Sequence, residues 1–202
     1  WPLSAMQKLV IASNNPGKLR EFQFLLQPLG IEVLTQAQLG ISEAEEPHLT
    51  FVENALAKAR HVSRESGLPA LADDSGICVT ALGGAPGVQS ARYAGDDPKS
   101  DRKNNEKLLQ VMQGVADRRA HYYCVLVLLQ HADDPQPVIV EGEWHGEIAR
   151  EERGDGGFGY DPLFWLPELG RMSAELSRDE KHAISHRGKA MKALLDRLRH
   201  AA

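Results

Sequence analysis

Hydrophobic and polar positions along the chain alternate between two rhythms, one of strands and one of helices. The run "KLVIAS", residues 8–13, is continuously apolar and opens into "NNPG", which reads as a buried strand entering a turn. From Lys18 to Leu29 the apolar residues Leu19, Phe22, Leu25, Leu26 and Leu29 keep helical spacing, with Gly30 as the stop. "IEVLTQ", 31–36, alternates and predicts a second strand. "TFVE", 50–53, has the form of a capping box and opens a helix that closes near Gly67. "LPALADD", 68–74, and "ICVTALGG", 77–84, read as two further strands, and "GGAPG" then breaks the chain. Ser100 caps a helix running to about Gly114. "HYYCVLVLLQH" and "PVIVEGEWHGEIAR" predict two long strands joined through "ADDPQ" as a hairpin, followed by a loop, "RGDGGFGYDP". A second capping box, "SRDE" at 177–180, starts helical periodicity through Leu198, with a break near Ser185. Helices interleaved with strands, plus one long hairpin, predict an α/β fold with a mixed β-sheet flanked by helices.

Composition narrows this little but usefully. The 202 residues are 42% hydrophobic and 25% charged, ordinary for one globular domain, here Met6 to Ala202, that can divide into two lobes. With 23 basic and 28 acidic side chains the net charge is −5, which argues against nucleic acid as a general partner. No apolar run reaches the ~20 residues of a membrane span, and the start lacks the pattern of a secretory signal. Cys78 and Cys124 lie in apolar strand-like runs without a CxxC spacing, so buried reduced thiols in a cytoplasmic protein are expected rather than a zinc site. Trp1 to Ala5 precede the first strand pattern and read as an extension or cloning remnant.

Four constellations can carry chemistry. The first is Ser13, Asn14, Asn15, Pro16, Gly17 and Lys18, a strand-to-helix turn. Free backbone N–H groups and the helix dipole would suit phosphate oxygens there, with Lys18 adding a mobile charge. It is not a P-loop, because Ala12 and Leu19 stand where glycine and a hydroxyl residue belong; an ordinary capped turn with a surface lysine has the same residues. The second is Asp73 and Asp74. On a strand they point to opposite faces, so one can face a ligand while the other serves structure. A carboxylate so placed can ligate Mg²⁺ and orient or deprotonate water. Glu43, Glu45 and Glu46 either complete such a site or form a solvated acidic turn.

The third is Phe158, Gly159, Tyr160 and Asp161, within "GGFGYDP". Glycines let the backbone approach a flat ligand on which Phe158 or Tyr160 could stack; the same aromatics could instead plug the core. The fourth is Lys181 with His186 and Arg187. These donors suit a purine carbonyl or a phosphate, and equally a solvated helix face.

With those residues in view, the chain resembles the inosine triphosphate pyrophosphatase family, and within it the bacterial enzymes acting on dITP and XTP. "SNNPGK", "TFVENALAKA", "ADDSG", "GGAPGVQSARYAG", "GGFGYDP" and "EKHAISHRG" carry the likeness, in the family's order, from Met6 to the end. The resemblance implies a homodimer whose protomer has two lobes with a nucleotide cleft between them. It implies Mg²⁺-dependent hydrolysis of deaminated purine nucleoside triphosphates (ITP, dITP, XTP) to monophosphate and pyrophosphate. Ser13 to Lys18 would then contact the phosphates, with Lys58 a further contact. Asp74 would be general base and metal-linked carboxylate, Ser75 would lie on the substrate, and Glu46 or its neighbour Glu45 would be the second metal ligand. Phe158 to Asp161, Lys181, His186 and Arg187 would surround base, sugar and phosphates. Two alternatives stay open: a pyrophosphatase for other modified nucleotides, and a nucleotide-binding regulator without turnover.

Overall fold

The computed structural model describes residues 6–200, so the expected extension at Trp1–Ala5 lies outside the described residues. Seven strands form one mixed sheet in the order β2-β1-β3-β4-β5-β6-β7. They are β1 (Lys8–Ile11), β2 (Glu32–Thr35), β3 (Ala70–Val79), β4 (Arg119–Leu129), β5 (Val138–Ile148), β6 (Phe164–Leu166) and β7 (Arg171–Met172). β1 runs parallel to β2, with Leu9 opposite Val33, and parallel to β3, with Val10 opposite Ala70. β5–β6 and β6–β7 are antiparallel. Among the described residues five α-helices accompany them: α1 (Pro16–Leu26), α2 (Phe51–Ser66), α3 (Asp101–Val111), α4 (Arg178–Ile184) and α5 (His186–His200).

Most elements fall where the hydrophobic rhythm puts them. Thr50 accepts from the Glu53 amide at 3.3 Å, but the Glu53 carboxylate takes the Thr50 hydroxyl at 2.7 Å rather than its backbone amide. Ser177 and Glu180 make the full reciprocal box. The break at Ser185 is real, and Gly188 explains why it is tight: a Cβ there would lie 1.8 Å from the His182 carbonyl oxygen. Two differences matter. The runs 68–74 and 77–84 are not two strands but the ten-residue β3, because Ser75 and Gly76 continue the extended backbone between them. The acidic pair therefore lies in the middle of a strand instead of at its end. The short β6 and β7 follow the glycine-rich loop, where no alternation marked them.

By contacts the chain divides into two compact units, and the division falls inside β3. One holds residues through Asp74, Val125–Glu141 and those from Ala190 onward; the other holds Ser75–Cys124 and Gly142–Lys189. In the first, Val10, Ile11, Phe22, Ala55, Ala59, Leu71 and Leu126 are fully buried. The core of the second gathers Ile77, Val79, Leu108, Met112, Tyr122, Trp144, Tyr160 and Phe164. Neither cysteine is in a disulfide; Cys124 is buried and Cys78 partly so. No helix among the described residues is long and apolar enough to cross a membrane.

Candidate active site

In the first unit the chemistry concentrates around two lysines and three carboxylates. Asp73 and Asp74 are both buried on β3. The Lys18 ammonium, from the first turn of α1, lies 2.7 Å from Asp73 Oδ1. The Lys58 ammonium, from the middle of α2, donates to the Asp73 carbonyl at 2.7 Å, and lies 2.9 Å from Glu46 Oε1 and 3.7 Å from Asp74 Oδ1. Asp74 Oδ2 is buried and makes no hydrogen bond. Removing a carboxylate from water disfavours its ionised form. Here that burial outweighs the attraction of Lys58 and then Lys18, and Glu46 and Asp73 add repulsion, so the Asp74 carboxyl is pushed up to about 6. For Lys58, burial pulls downward, but Asp74, Glu46 and Asp73 together win and the ammonium is held above its ordinary range.

The acidic segment reaches this site without being a helix or strand. It is tied down at four points. Asn14 donates to Glu43 at 3.0 Å, and a ring nitrogen of His61 lies 2.8 Å from the Ser42 carbonyl oxygen. Buried Asn54 accepts from the His48 amide and donates back to its carbonyl, and Lys58 holds Glu46. Of the two candidate acids, Glu46 is thus drawn in while Glu45 is exposed. The turn at 13–18 is already capped. Asn15 Oδ1 accepts from the Gly17 and Lys18 amides at 3.0 and 3.2 Å, and Ser13 Oγ accepts from the Asn15 amide. The amides expected to be free for phosphate are therefore occupied here, because Asn at the N-cap supplies its own acceptor.

The second unit assembles the other half of the expected residues around Asp161. Its Oδ1 accepts from Tyr122 Oη at 3.0 Å and Ser173 Oγ at 2.8 Å. Its Oδ2 accepts from the Phe158 amide at 3.0 Å and from Lys181 at 2.6 Å. Four donors leave Asp161 an organiser of the loop. Gly157 is required beside it, at φ +69°, because a Cβ would come within 2.0 Å of Asp161 Oδ2. Lys181 also lies 4.5 Å from the centre of the Phe158 ring, and the Arg187 guanidinium 5.7 Å from it. Arg187 donates to Ser75 Oγ at 3.0 Å. His186 stacks on Tyr122, 4.7 Å between centres and 10° apart, with Trp144 at 6.3 Å.

Of the two aromatics offered for stacking, Tyr160 is a core plug. Its ring is buried and its hydroxyl donates to the Ser90 carbonyl at 2.6 Å, whereas Phe158 is 38% exposed. Arg187 and His186 are buried rather than solvated. The sequence reading did not find Tyr122, Ser173, Trp144 or Asn54. The first three sit in or next to strand-like apolar runs, and a lone asparagine on a helix carries no signal of its own.

The residues fit Mg²⁺ in one specific way. Asp74 Oδ2 is a buried oxygen without a partner, and Glu46 stands with Asp74 around one ammonium. Among the described residues no group of three or more His, Cys, Asp and Glu side chains is placed to hold an ion. Mg²⁺ needs no such cage: one or two carboxylates, waters and substrate phosphates suffice.

Comparison with known proteins places the chain in a family. A model of the Ham1 family matches residues 9–197. A dITP/XTP pyrophosphatase of Nitrosomonas europaea is 66% identical over 193 residues, covering 96% of this chain and 95% of that protein. One from Ralstonia nicotianae is 65% identical over 196 residues, covering 96% and 98%. The solved structure of a Ham1 protein from Coxiella burnetii superposes with a TM-score of 0.91 at 47% identity, covering 96% of this chain and all of that one.

Proposed function

Since the chain belongs to the Ham1 family, we propose that it is a nucleoside triphosphate pyrophosphatase that hydrolyses deaminated purine nucleotides, ITP, dITP and XTP, to monophosphate and pyrophosphate with Mg²⁺. The observation that carries the reading is Asp74: a buried carboxylate with a free oxygen, pushed up to about 6, beside Lys58 and Glu46. A base poised near neutral pH can accept a proton and still be largely ionised when needed. Water attacks the α-phosphorus, its proton passes to Asp74, the bond to the β-phosphate oxygen breaks, and pyrophosphate departs. Asp74 and Glu46 would hold the Mg²⁺, which when bound neutralises phosphate oxygens and polarises the anhydride.

Lys18 and Lys58 supply fixed positive potential for the triphosphate. Ser13 to Gly17 shape the turn that presents Lys18, and Asn15 also holds its backbone amide. In the second unit Phe158 offers a stacking face to the purine, its ring already flanked by Lys181 and Arg187. Ser75 and Arg187 form a hydroxyl–guanidinium pair at the start of that unit. His186, Arg187 and Lys181 are the donors for the oxygen at the purine six position. Adenine carries an amino group there and would leave them unpaired, a mismatch that can discriminate by ~10⁴. Residues 6–202 act as one catalytic domain, in a homodimer, in the cytoplasm.

The deciding experiment is product analysis with dITP, ITP, XTP, GTP and ATP, with and without Mg²⁺, resolving pyrophosphate from phosphate. Pyrophosphate from the first three alone, and only with Mg²⁺, is expected. Release of single phosphate would place attack at the γ-phosphorus and overturn the reading. Binding without turnover would make the chain a regulator.

A further inference from the structure

Helix α3 belongs to none of the motifs assigned a role above, yet its first two turns grip the loop that carries Phe158. Asp101 Oδ2 accepts from the Gly159 amide at 3.0 Å. Asn105 Nδ2 donates to the Gly159 carbonyl at 2.9 Å. Both backbone groups of one loop residue are thus held by side chains one helical turn apart. Between them, Asn104 faces another segment: its Oδ1 accepts from the Ala94 amide at 2.8 Å, and its Nδ2 donates to the Ala91 carbonyl at 3.0 Å. That segment supplies the Ser90 carbonyl, to which Tyr160 Oη donates. The same short stretch of α3 therefore fixes Gly159 directly and Tyr160 through Ser90. Phe158, next to Gly159 and two residues before Tyr160, is left with its ring exposed.

The geometry points to Asp101 and Asn105 as positioning residues for base binding: by clamping Gly159 they fix the Phe158 ring over Lys181 and Arg187 as a stacking platform. They touch no reacting atom and act through the loop. The inference rests on the proposed role of Phe158. A glycine-rich loop of this kind has little intrinsic order, and binding must otherwise bear the entropy of ordering it. A preformed platform shows as a lower KM and leaves the hydrolytic step alone.

The test uses dITP with Mg²⁺ and the variants Asp101→Ala, Asp101→Asn, Asn105→Ala, Ser100→Ala and Phe158→Ala. Losing one charge-assisted hydrogen bond to the loop is expected to raise KM about tenfold in Asp101→Ala with kcat within about twofold. Asp101→Asn keeps an acceptor and restores most of the affinity. Ser100→Ala removes the helix cap, whose Oγ accepts from the Lys103 amide, so it weakens α3 without touching Gly159. It lowers Tm and leaves KM unchanged. Combining Asp101→Ala with Phe158→Ala gives the KM of Phe158→Ala alone, because one acts through the other. Amide exchange over residues 156–160 quickens in Asp101→Ala and Asn105→Ala, a readout independent of turnover. If exchange is unchanged, or Ser100→Ala raises KM as much, the clamp is overturned. If exchange quickens and neither Asp101→Ala nor Phe158→Ala alters KM, the clamp stands and the base-binding role of Phe158 falls, taking this inference with it.

Discussion

The Lys18 ammonium lies 2.7 Å from Asp73 Oδ1, and the Asp73 side chain has no exposure at all. Asp73 is thus the structural member of the acidic pair, and its partner is the very lysine expected to meet phosphate. Breaking a buried pair by removing one member leaves a charge uncompensated, which is more costly than losing the pair as a whole. Lys18→Met is expected to destabilise the fold by about 2–3 kcal/mol in urea unfolding. The double variant with Asp73→Asn should recover part of that loss. Additive losses in the double variant would show that the two charges do not depend on each other.

Asp74 is costly to the fold in its ionised form. Its pKa is raised, from 3.8 in an unfolded chain to about 6, so between those values the folded chain binds more protons than the unfolded one. Stability therefore falls as pH rises through that window, and above about 6 the full cost is present. About two pKa units correspond to ~3 kcal/mol as an upper figure. Asp74→Asn should abolish turnover measured with Mg²⁺ and yet, in metal-free protein, stabilise the fold by roughly 1–3 kcal/mol at pH 7.5, with the gain vanishing near pH 4. An equal effect at both pH values would show that ionisation of Asp74 is not the cause.

Lys58 is, after burial, the strongest influence on Asp74, and it favours the carboxylate. Lys58→Met removes that influence and leaves burial and Glu46 unopposed except by Lys18. The acid limb of the kcat/KM profile should move to higher pH, while Lys58→Arg, which keeps the charge, moves it less. A limb that stays in place in Lys58→Met would assign it to a group other than Asp74.

The fold was largely readable because periodicity and caps do not depend on distant residues. Thr50, Ser100 and Ser177 each begin a helix, and Gly67 ends one. The roles of adjacent residues were harder. Whether Asp73 or Asp74 served structure hung on which one Lys18 reached, a relation across 55 residues. Glu46 was separated from Glu45 only by Lys58, Asn54 and His61 on α2, which place an irregular segment. Tyr160 and Phe158 looked equivalent in "GGFGYDP"; the Ser90 carbonyl, 70 residues away, took one into the core. Chemistry that depends on such pairings leaves no local pattern, and α3 is the plainest case: "DRKNN" reads as an ordinary polar helix start.

Gly157 offers the sharpest test of the knot around Asp161. At φ +69° any other residue is strained, and a Cβ would strike Asp161 Oδ2 at 2.0 Å. The carboxylate would have to swing away from Lys181, the Phe158 amide, or both. Gly157→Ala is therefore expected to cost about 2–4 kcal/mol, the strain and the broken ion pair together. It should also raise KM for dITP more than Asp101→Ala does, since it displaces Lys181 as well as the loop. Lys181→Met tests the same knot from the other side: buried Asp161 keeps Tyr122, Ser173 and the Phe158 amide but loses the Lys181 ammonium, and the variant should unfold at lower urea than the parent. A Gly157→Ala protein with native stability and KM would mean that the loop adapts freely, and that Asp161 does not hold it.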